Sequence, residues 1–381
     1  MIRTERAHLN VATQTHAGMT GKNNEDRYAI TSYQLDESDT TPVLFAVVAD
    51  GIGGHRAGEV AAELAVDHIT QVVAESDAHH PKMILEKAIQ AASASIAEHA
   101  SSAPEQEGMG STCACIWIIG NQLYTASVGD SRIYLLREGR IQQLTTDHTW
   151  VQEALEKNVI TPEYARDHPN IHVIRRYLGS PEPPEVDFRL RLYDSETNAL
   201  AEGNQGMPLY PGDTLLICSD GLTDLVWNDE IGEIIRTKGN LKSAAQGLVD
   251  TANQRGGHDN TTVVLVSVPR DIKWAPVKKR NWLPWIIGGI LILFFLIAFA
   301  SVLAINLLRS PREITPTPTL IASTPFSATS IPIITTIATQ TDTVATSAPS
   351  DTAPAPTQLT QGPTYTPWPT NTNIPSETQT P

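Results

Sequence analysis

The chain is short of cysteine, of positive charge and of any export signal, and each shortage removes a class of answers. Three cysteines, Cys113, Cys115 and Cys218, occur in 381 residues, all inside apolar runs. That usage excludes a disulfide framework of the secreted kind. Cys113 and Cys115 would share one strand face, but a C-x-C without a second Cys or His pair is a poor zinc site, and all three read as buried core thiols. Lys and Arg number 27 against 42 Asp and Glu, a net charge of −15. No nucleic-acid partner is expected of such a balance. The amino terminus, MIRTERAHLNVATQTHAG, lacks the continuous apolar stretch of a secretory signal, so the first domain is expected to stay in the cytoplasm.

The carboxy-terminal part is organised differently. An uncharged run from Trp285 to Leu308 follows Lys278, Lys279 and Arg280 and precedes Arg309 and Arg312. Its roughly 24 residues would reach about 36 Å as a helix, enough to span a hydrocarbon core. With Trp282 and Trp285 as interfacial anchors, it is expected to be a transmembrane helix over 285–308, preceded by a basic juxtamembrane linker over 276–284. Beyond Arg312 there is no Lys or Arg, and Thr, Pro, Ser and Ala dominate. Such a segment buries too little apolar area to offset chain entropy, so 309–381 is expected to be a disordered extracytoplasmic tail. The expected localisation is a single-pass protein of the cell membrane.

Residues 1–275 alternate strand and helix patterns. VLFAVVAD reads as a buried strand, while EVAAELAVDHITQVV and MILEKAIQAASASIAEHA carry helical apolar spacing. STCACIWIIG, NQLYTASVGD and RIYLLREGRIQQL are apolar or alternating runs separated by turn dipeptides, as in antiparallel hairpins. GDTLLICSDG and DNTTVVLVSV add strands, with the helical LKSAAQGLVDTANQ between them. The pattern predicts sheet packed on sheet, flanked by helices. DSETNALAEGNQGMPL reads as a surface insertion.

Three apolar strands end on a carboxylate, at Asp50, Asp130 and Asp220, and Asp259 stands immediately before a fourth. Glu25 and Asp26 add two more in NNEDR. Carboxylate oxygens are hard ligands suited to Mg²⁺ or Mn²⁺, and a glycine after the aspartate lets the backbone carbonyl come close enough to coordinate as well. One Asp-Gly is an ordinary turn dipeptide. Four strand-end carboxylates in one domain are a pattern.

The ordered motifs then resemble one family over residues 8–270: the metal-dependent protein phosphatases, type 2C or PPM. They are Asn24-Glu25-Asp26, Asp50-Gly51-Ile52-Gly53-Gly54 followed by His55, GMGST at 108–112, VGDSRIY at 128–134, LTTDHT at 144–149, PGDTLLICSDGLTD at 211–224 and GHDNTTVVLV at 257–266. The resemblance implies an α+β fold, a four-layer α-β-β-α sandwich with two central antiparallel sheets, here with the transmembrane helix and disordered tail appended. It also implies two Mn²⁺ or Mg²⁺ ions, and a third where Asp130 lies. Asp50 would bridge both metals, Asp220 and Asp259 would complete one site, and the Gly51 carbonyl would hold the other. Asp26 or Glu25 would sit behind metal-bound water. The implied reaction is hydrolysis of phosphoserine and phosphothreonine in cytosolic proteins, opposing a Ser/Thr protein kinase. Neither a C-x₅-R loop nor an Asp-x-Asp-Gly-Thr motif offers a side-chain nucleophile instead.

Two departures from the family pattern stand out. Relatives place an arginine two or three residues before the NED motif to grip phosphate, whereas this chain has Gly21 and Lys22 there. Lys22 would be a point charge rather than a bidentate fork, or else an idle surface lysine. Ile52 occupies the place of a histidine proposed as general acid, for which His55 or metal-bound water could substitute. The segment 149–179 falls where relatives carry a flap. A weakly active or inactive binding module tethered at the membrane is the competing reading.

Overall fold

In this computed structural model the described residues are 1–53, 56–102, 104–165, 168–272, 274 and 283–308. Chain contacts divide the protein into two units, Met1–Gly289 and Ile290–Pro381.

The first unit begins with strands β1 (Ile2–Arg3), β2 (Asn10–His16), β3 (Arg27–Gln34), β4 (Pro42–Ala49) and β5 (Gly51–Ile52), then helices α1 (Arg56–Glu75) and α2 (Pro81–Ser102). β6 (Gly110–Ser111), β7 (Cys113–Ile119), β8 (Gln122–Val128), β9 (Arg132–Arg137) and β10 (Arg140–Gln143) follow. Next come α3 (Trp150–Glu156), α4 (Pro162–Ala165), α5 (Asn198–Gly203), β11 (Met207–Pro208), β12 (Thr214–Cys218) and α6 (Asp220–Thr223). α7 (Asn228–Thr237), α8 (Leu241–Gln254) and β13 (Thr261–Ser267) complete the unit.

Two antiparallel sheets form the middle, one ordered β1-β3-β4-β7-β8-β11 and the other β10-β9-β12-β13-β2. Period-two side-chain alternation decides the layering. From β4, Val43, Phe45 and Val47 join the core beneath α1 and α2, while Leu44, Ala46 and Val48 join the core between the sheets. β13 does the same on the far side: Val264 and Val266 face the inter-sheet core, Val263 and Leu265 the core under α7 and α8. A strand buried on both faces must be apolar throughout, which is why these runs carry no polar alternation. The four-layer sandwich is as expected. Cys113 and Cys115 share the helix-facing side of β7, and all three cysteines are buried and unbridged.

Several features escaped the sequence reading. Strands β2 and β3 are polar and half-exposed and show no apolar run, yet β3 pairs with β4 over eight residues and β2 with β13 over seven. The stretch read as a surface insertion is partly structural. Gln205 donates to the Thr125 carbonyl at 3.0 Å and accepts the Thr125 N–H at 2.9 Å, and Met207 pairs with Leu123 at the sheet edge.

A further helix, α9, runs Leu283–Leu308. No helix among the described residues is long and apolar enough to cross a membrane. The expectation of a transmembrane helix over 285–308 is therefore corrected, and with it the single-pass cell-membrane localisation with a cytoplasmic domain. Residues 276–282 of the expected linker and the whole of 309–381 lie outside the described residues.

Candidate active site

The carboxylates converge because strands of both sheets terminate at one end of the sandwich. β4 delivers Asp50 there, and the backbone is pinned at that point. The Asp50 N–H donates to Thr112 Oγ1 at 3.0 Å, and its carbonyl accepts from the Thr112 N–H at 2.8 Å and the Ser111 hydroxyl at 3.1 Å. Gly51 follows at a close crossing with α1, where an added Cβ would stand 2.1 Å from the Gly58 carbonyl oxygen. Only glycine fits that approach.

From the second sheet, β12 ends at Cys218, and the next residue, Ser219, is hydrogen-bonded both ways to Thr262 of β13: the Ser219 N–H donates to the Thr262 carbonyl at 3.1 Å, and the Thr262 N–H donates to Ser219 Oγ at 3.0 Å. Asp220 opens α6 directly afterwards. Asp259 precedes β13, its Oδ1 accepting the Asn260 N–H at 2.9 Å. Asn260 then clamps the NED segment, its Oδ1 accepting the Glu25 N–H at 2.6 Å and its Nδ2 donating to the carbonyls of Ala17 and Asn23 at 3.1 and 2.9 Å. Asp26 is 3% exposed and lies behind the cluster, accepting the Ser219 hydroxyl at 2.7 Å. The Glu25 carboxylate sits against the first turn of α1, where a Cβ on Gly58 would fall 2.8 Å from its Oε2.

The electrostatics are those of negative charges confined together without enough compensation. Burial raises Asp26 to about 7, against hydrogen bonds from Thr262 and Ser219, with Asp220 and Asp259 adding to the rise. Asp50 is pushed well above the usual carboxylate range by burial and by Asp26, Asp220 and Asp130. Asp130 moves the same way through burial, Asp220 and Asp147, with Arg132 opposing. Asp220 is raised by burial and Asp259. Three buried carboxylate oxygens, Asp26 Oδ1, Asp130 Oδ1 and Asp220 Oδ1, have no hydrogen-bond partner among the described residues. An orphaned buried oxygen is costly unless a cation occupies the space before it. The donor set, all carboxylate and backbone oxygen, suits a hard divalent ion.

A cleft of about 1420 Å³ opens over this end, lined by Lys22, Asp50, Gly51, Asp130, Asp220 and Asp259 among others. The structure thus brings together all but two of the described residues singled out from sequence, the exceptions being Glu25 and Asp26, which approach from behind. His55 lies outside the described residues. Arg27, the cation nearest the NED motif in sequence, donates to the carbonyls of Asn24 and Asp26 and is paired with Glu59, so it is committed to structure.

Sequence reasoning missed four participants. Arg132 grips Asp147 with contacts of 2.6 to 3.0 Å beneath the cleft. His148, 5% exposed, accepts the Gly129 N–H on Nδ1 at 2.9 Å and contacts Asp187 through Nε2 at 3.0 Å, fixing the turn that carries Asp130. Asp224, although its side chain remains 34% exposed, is raised to about 7 by partial desolvation in the cleft and by Asp220, and contacts His172 Nδ1 at 3.3 Å. Side-chain atoms of His172, Asp220 and Asp224 all lie within 4.8 Å of one another. The four-residue spacing of Asp220 and Asp224 was a usable helical signal. The approach of His172 was not, because it depends on how 149–179 folds back.

Residues 15–158 match the family model for protein phosphatase 2C. The serine/threonine phosphatase stp of Listeria monocytogenes is 36% identical over 257 residues, 66% of this chain and 93% of that protein. The crystal structure of the Mycobacterium tuberculosis serine/threonine phosphatase PstP/Ppp superimposes with a TM-score of 0.57 at 32% identity, covering 68% of this chain and 99% of that one. The catalytic domain of PstP in complex with two manganese ions does so with a TM-score of 0.55 at 32% identity, covering 68% and 98%. With this fold, these ordered motifs and these relatives, the chain belongs to the protein phosphatase 2C family.

Proposed function

We propose that the chain is a serine/threonine protein phosphatase that hydrolyses phosphoserine and phosphothreonine in proteins and so opposes a Ser/Thr protein kinase, with residues 1–275 as its catalytic domain. The observation that carries this reading is the meeting of Asp50, Asp130, Asp220 and Asp259 in one cleft, with buried carboxylate oxygens left without donors. Phosphatase relatives of the same fold, one holding two manganese ions, support it.

Asp50 would hold two Mn²⁺ or Mg²⁺ ions in common, with Asp220 and Asp259 on one, the Gly51 carbonyl on the other, Asp26 or Glu25 behind, and Asp130 at a third position. When bound, the ions supply charge neutralisation of the phosphomonoester dianion and an acidified water for in-line attack. The chain's own part is positioning. The Thr112 and Ser111 hydrogen bonds hold the Asp50 backbone still, and Asn260 couples the NED segment to Asp259. Lys22 lines the same cleft and offers a cation to a phosphate oxygen. Arg132 lines it too but is engaged by Asp147. Leaving-group protonation falls to His55 or to solvent.

The test is phosphate release by the full chain from a phosphothreonine peptide with Mn²⁺, Mg²⁺ or EDTA, alongside Asp50→Asn and Asp259→Asn. Metal-dependent turnover lost in both variants is expected. A folded, metal-loaded wild type that releases no more phosphate than the variants would leave a phosphatase-like binding module.

A further inference from the structure

His148 is buried, and each of its polar atoms is engaged. Its N–H donates to the Gly129 carbonyl at 2.9 Å and its Nδ1 accepts the Gly129 N–H at 2.9 Å, so this one residue satisfies both backbone groups of the glycine. With Nδ1 an acceptor, Nε2 carries the proton and donates to Asp187 Oδ2 at 3.0 Å. Asp187 suits that role: although burial opposes it, hydrogen bonds from His148 and Arg189 hold its carboxyl well below the usual carboxylate range. Arg176 stands farther off, 3.4 Å from Nε2, and donates to the Glu185 carbonyl at 3.0 Å and the Glu185 carboxylate at 3.1 Å. The orientation of the imidazole is thereby fixed.

Two parts of the cleft meet at this ring. Gly129 precedes Asp130, and with a φ of +104° and Thr112 side-chain atoms 2.7 Å from where a Cβ would stand, no other residue fits there. Beyond Asp130, Ser131 Oγ lies 2.7 Å from Thr112 Oγ1, the same oxygen that accepts the Asp50 N–H. Asp130 is thus tied to Asp50 on one side and to His148 on the other. The His148 carbonyl in turn accepts the Arg175 N–H at 2.7 Å, and the Trp150 N–H donates to the Val173 carbonyl at 2.9 Å. These bonds join the two ends of the segment that gives Val151, Leu155, Ile171 and Ile174 to the cleft wall. A shift of that wall reaches the Asp130 turn through His148.

We propose that His148 is a positioning residue: its N–H and Nδ1 hold the Asp130 turn in register with this cleft wall, so that an ion at Asp130 and a phosphopeptide lying along the wall meet in one geometry. The part given to the ion rests on the phosphatase reading.

Two substitutions separate the two sides of the ring. Asn puts an acceptor near the place of Nδ1 but does not reach Asp187, whereas Gln puts a donor near the place of Nε2 and nothing at Nδ1. His148→Gln therefore frees the Gly129 N–H and His148→Asn keeps it bound. In Mn²⁺ titration calorimetry of the full chain, the weakest binding step should be about tenfold weaker in His148→Gln and within about twofold of wild type in His148→Asn. Amide exchange of metal-free protein over residues 128–131 should quicken in the first variant alone, and kcat for a phosphothreonine peptide should fall in the same order. Asp130→Asn removes the ligand through which His148 acts, so adding His148→Gln to it should cost no further kcat, a comparison that survives some loss of stability in each variant. Equal Mn²⁺ affinities in the Gln and Asn variants, or kcat losses that multiply in the double variant, overturn the proposal. A wild type that releases no phosphate while the two variants still differ in Mn²⁺ binding and exchange would sink the phosphatase and keep the positioning role. Metal-dependent turnover in wild type with indistinguishable variants would do the reverse.

Discussion

Ser219 and Asp26 stand 193 positions apart, and the serine hydroxyl donates to the aspartate carboxylate at 2.7 Å in a fully buried setting. Ser219 Oγ also accepts the Thr262 N–H at 3.0 Å. One hydroxyl thus joins the end of β12, the start of β13 and the NED segment behind the carboxylate cluster.

Ser219→Ala strands a buried N–H and removes a donor from a buried carboxylate. Its expected cost is about 1–3 kcal/mol. The midpoint of urea unfolding should fall at unchanged slope, and the Mn²⁺ concentration for half-maximal activity should rise. Wild-type values for both would remove Ser219 from this role.

Metal-free protein should lose stability as pH rises. Asp26 is raised from 3.8 to about 7 in the folded state, so the folded form binds its proton more tightly than the unfolded chain does. Stability from that group is fully present below about pH 4 and is lost as pH climbs through about 7. Asp50, Asp130 and Asp220 shift in the same direction. Thermal unfolding in EDTA across this window should show a falling Tm, partly flattened by Asp26→Asn and reversed by Mn²⁺. A Tm that climbs with pH in EDTA would contradict the assignment.

Gly221→Ala drives a Cβ to within 2.0 Å of the Asn260 carbonyl oxygen. Overpacking of this kind costs about 1–3 kcal/mol. Because Asn260 holds both Asp259 and Glu25, kcat should drop along with stability. A variant as stable and active as wild type would show that the two chain segments can part freely.

Lys22→Ala should raise KM for a phosphopeptide by about tenfold with a smaller effect on kcat, and Lys22→Arg should lower KM, because a guanidinium can engage two phosphate oxygens. Unchanged KM in the alanine variant would return Lys22 to the surface.

Read alone, the chain settles the elements whose burial is written into composition. β4, β7, β12 and β13 are apolar on both faces because both faces are covered, and α8 shows the apolar spacing of the single face it buries. The strand-end aspartates were legible because an ionisable residue after a buried run marks where the sheet meets solvent or a cation. β2 and β3 were not legible: they are polar and half-exposed, and it is hydrogen bonding to buried neighbours that makes them strands. The apolar run over 285–308 looked sufficient for a membrane span by length and hydropathy, a reading the described residues do not sustain. Tertiary structure alone decided that Asp26 reaches Asp220 through Ser219, that Asn260 ties Glu25 to Asp259, and that His172 and Trp227 line the carboxylate cleft. Such contacts join segments far apart in sequence, and local propensity carries no information about which distant partner a side chain will meet.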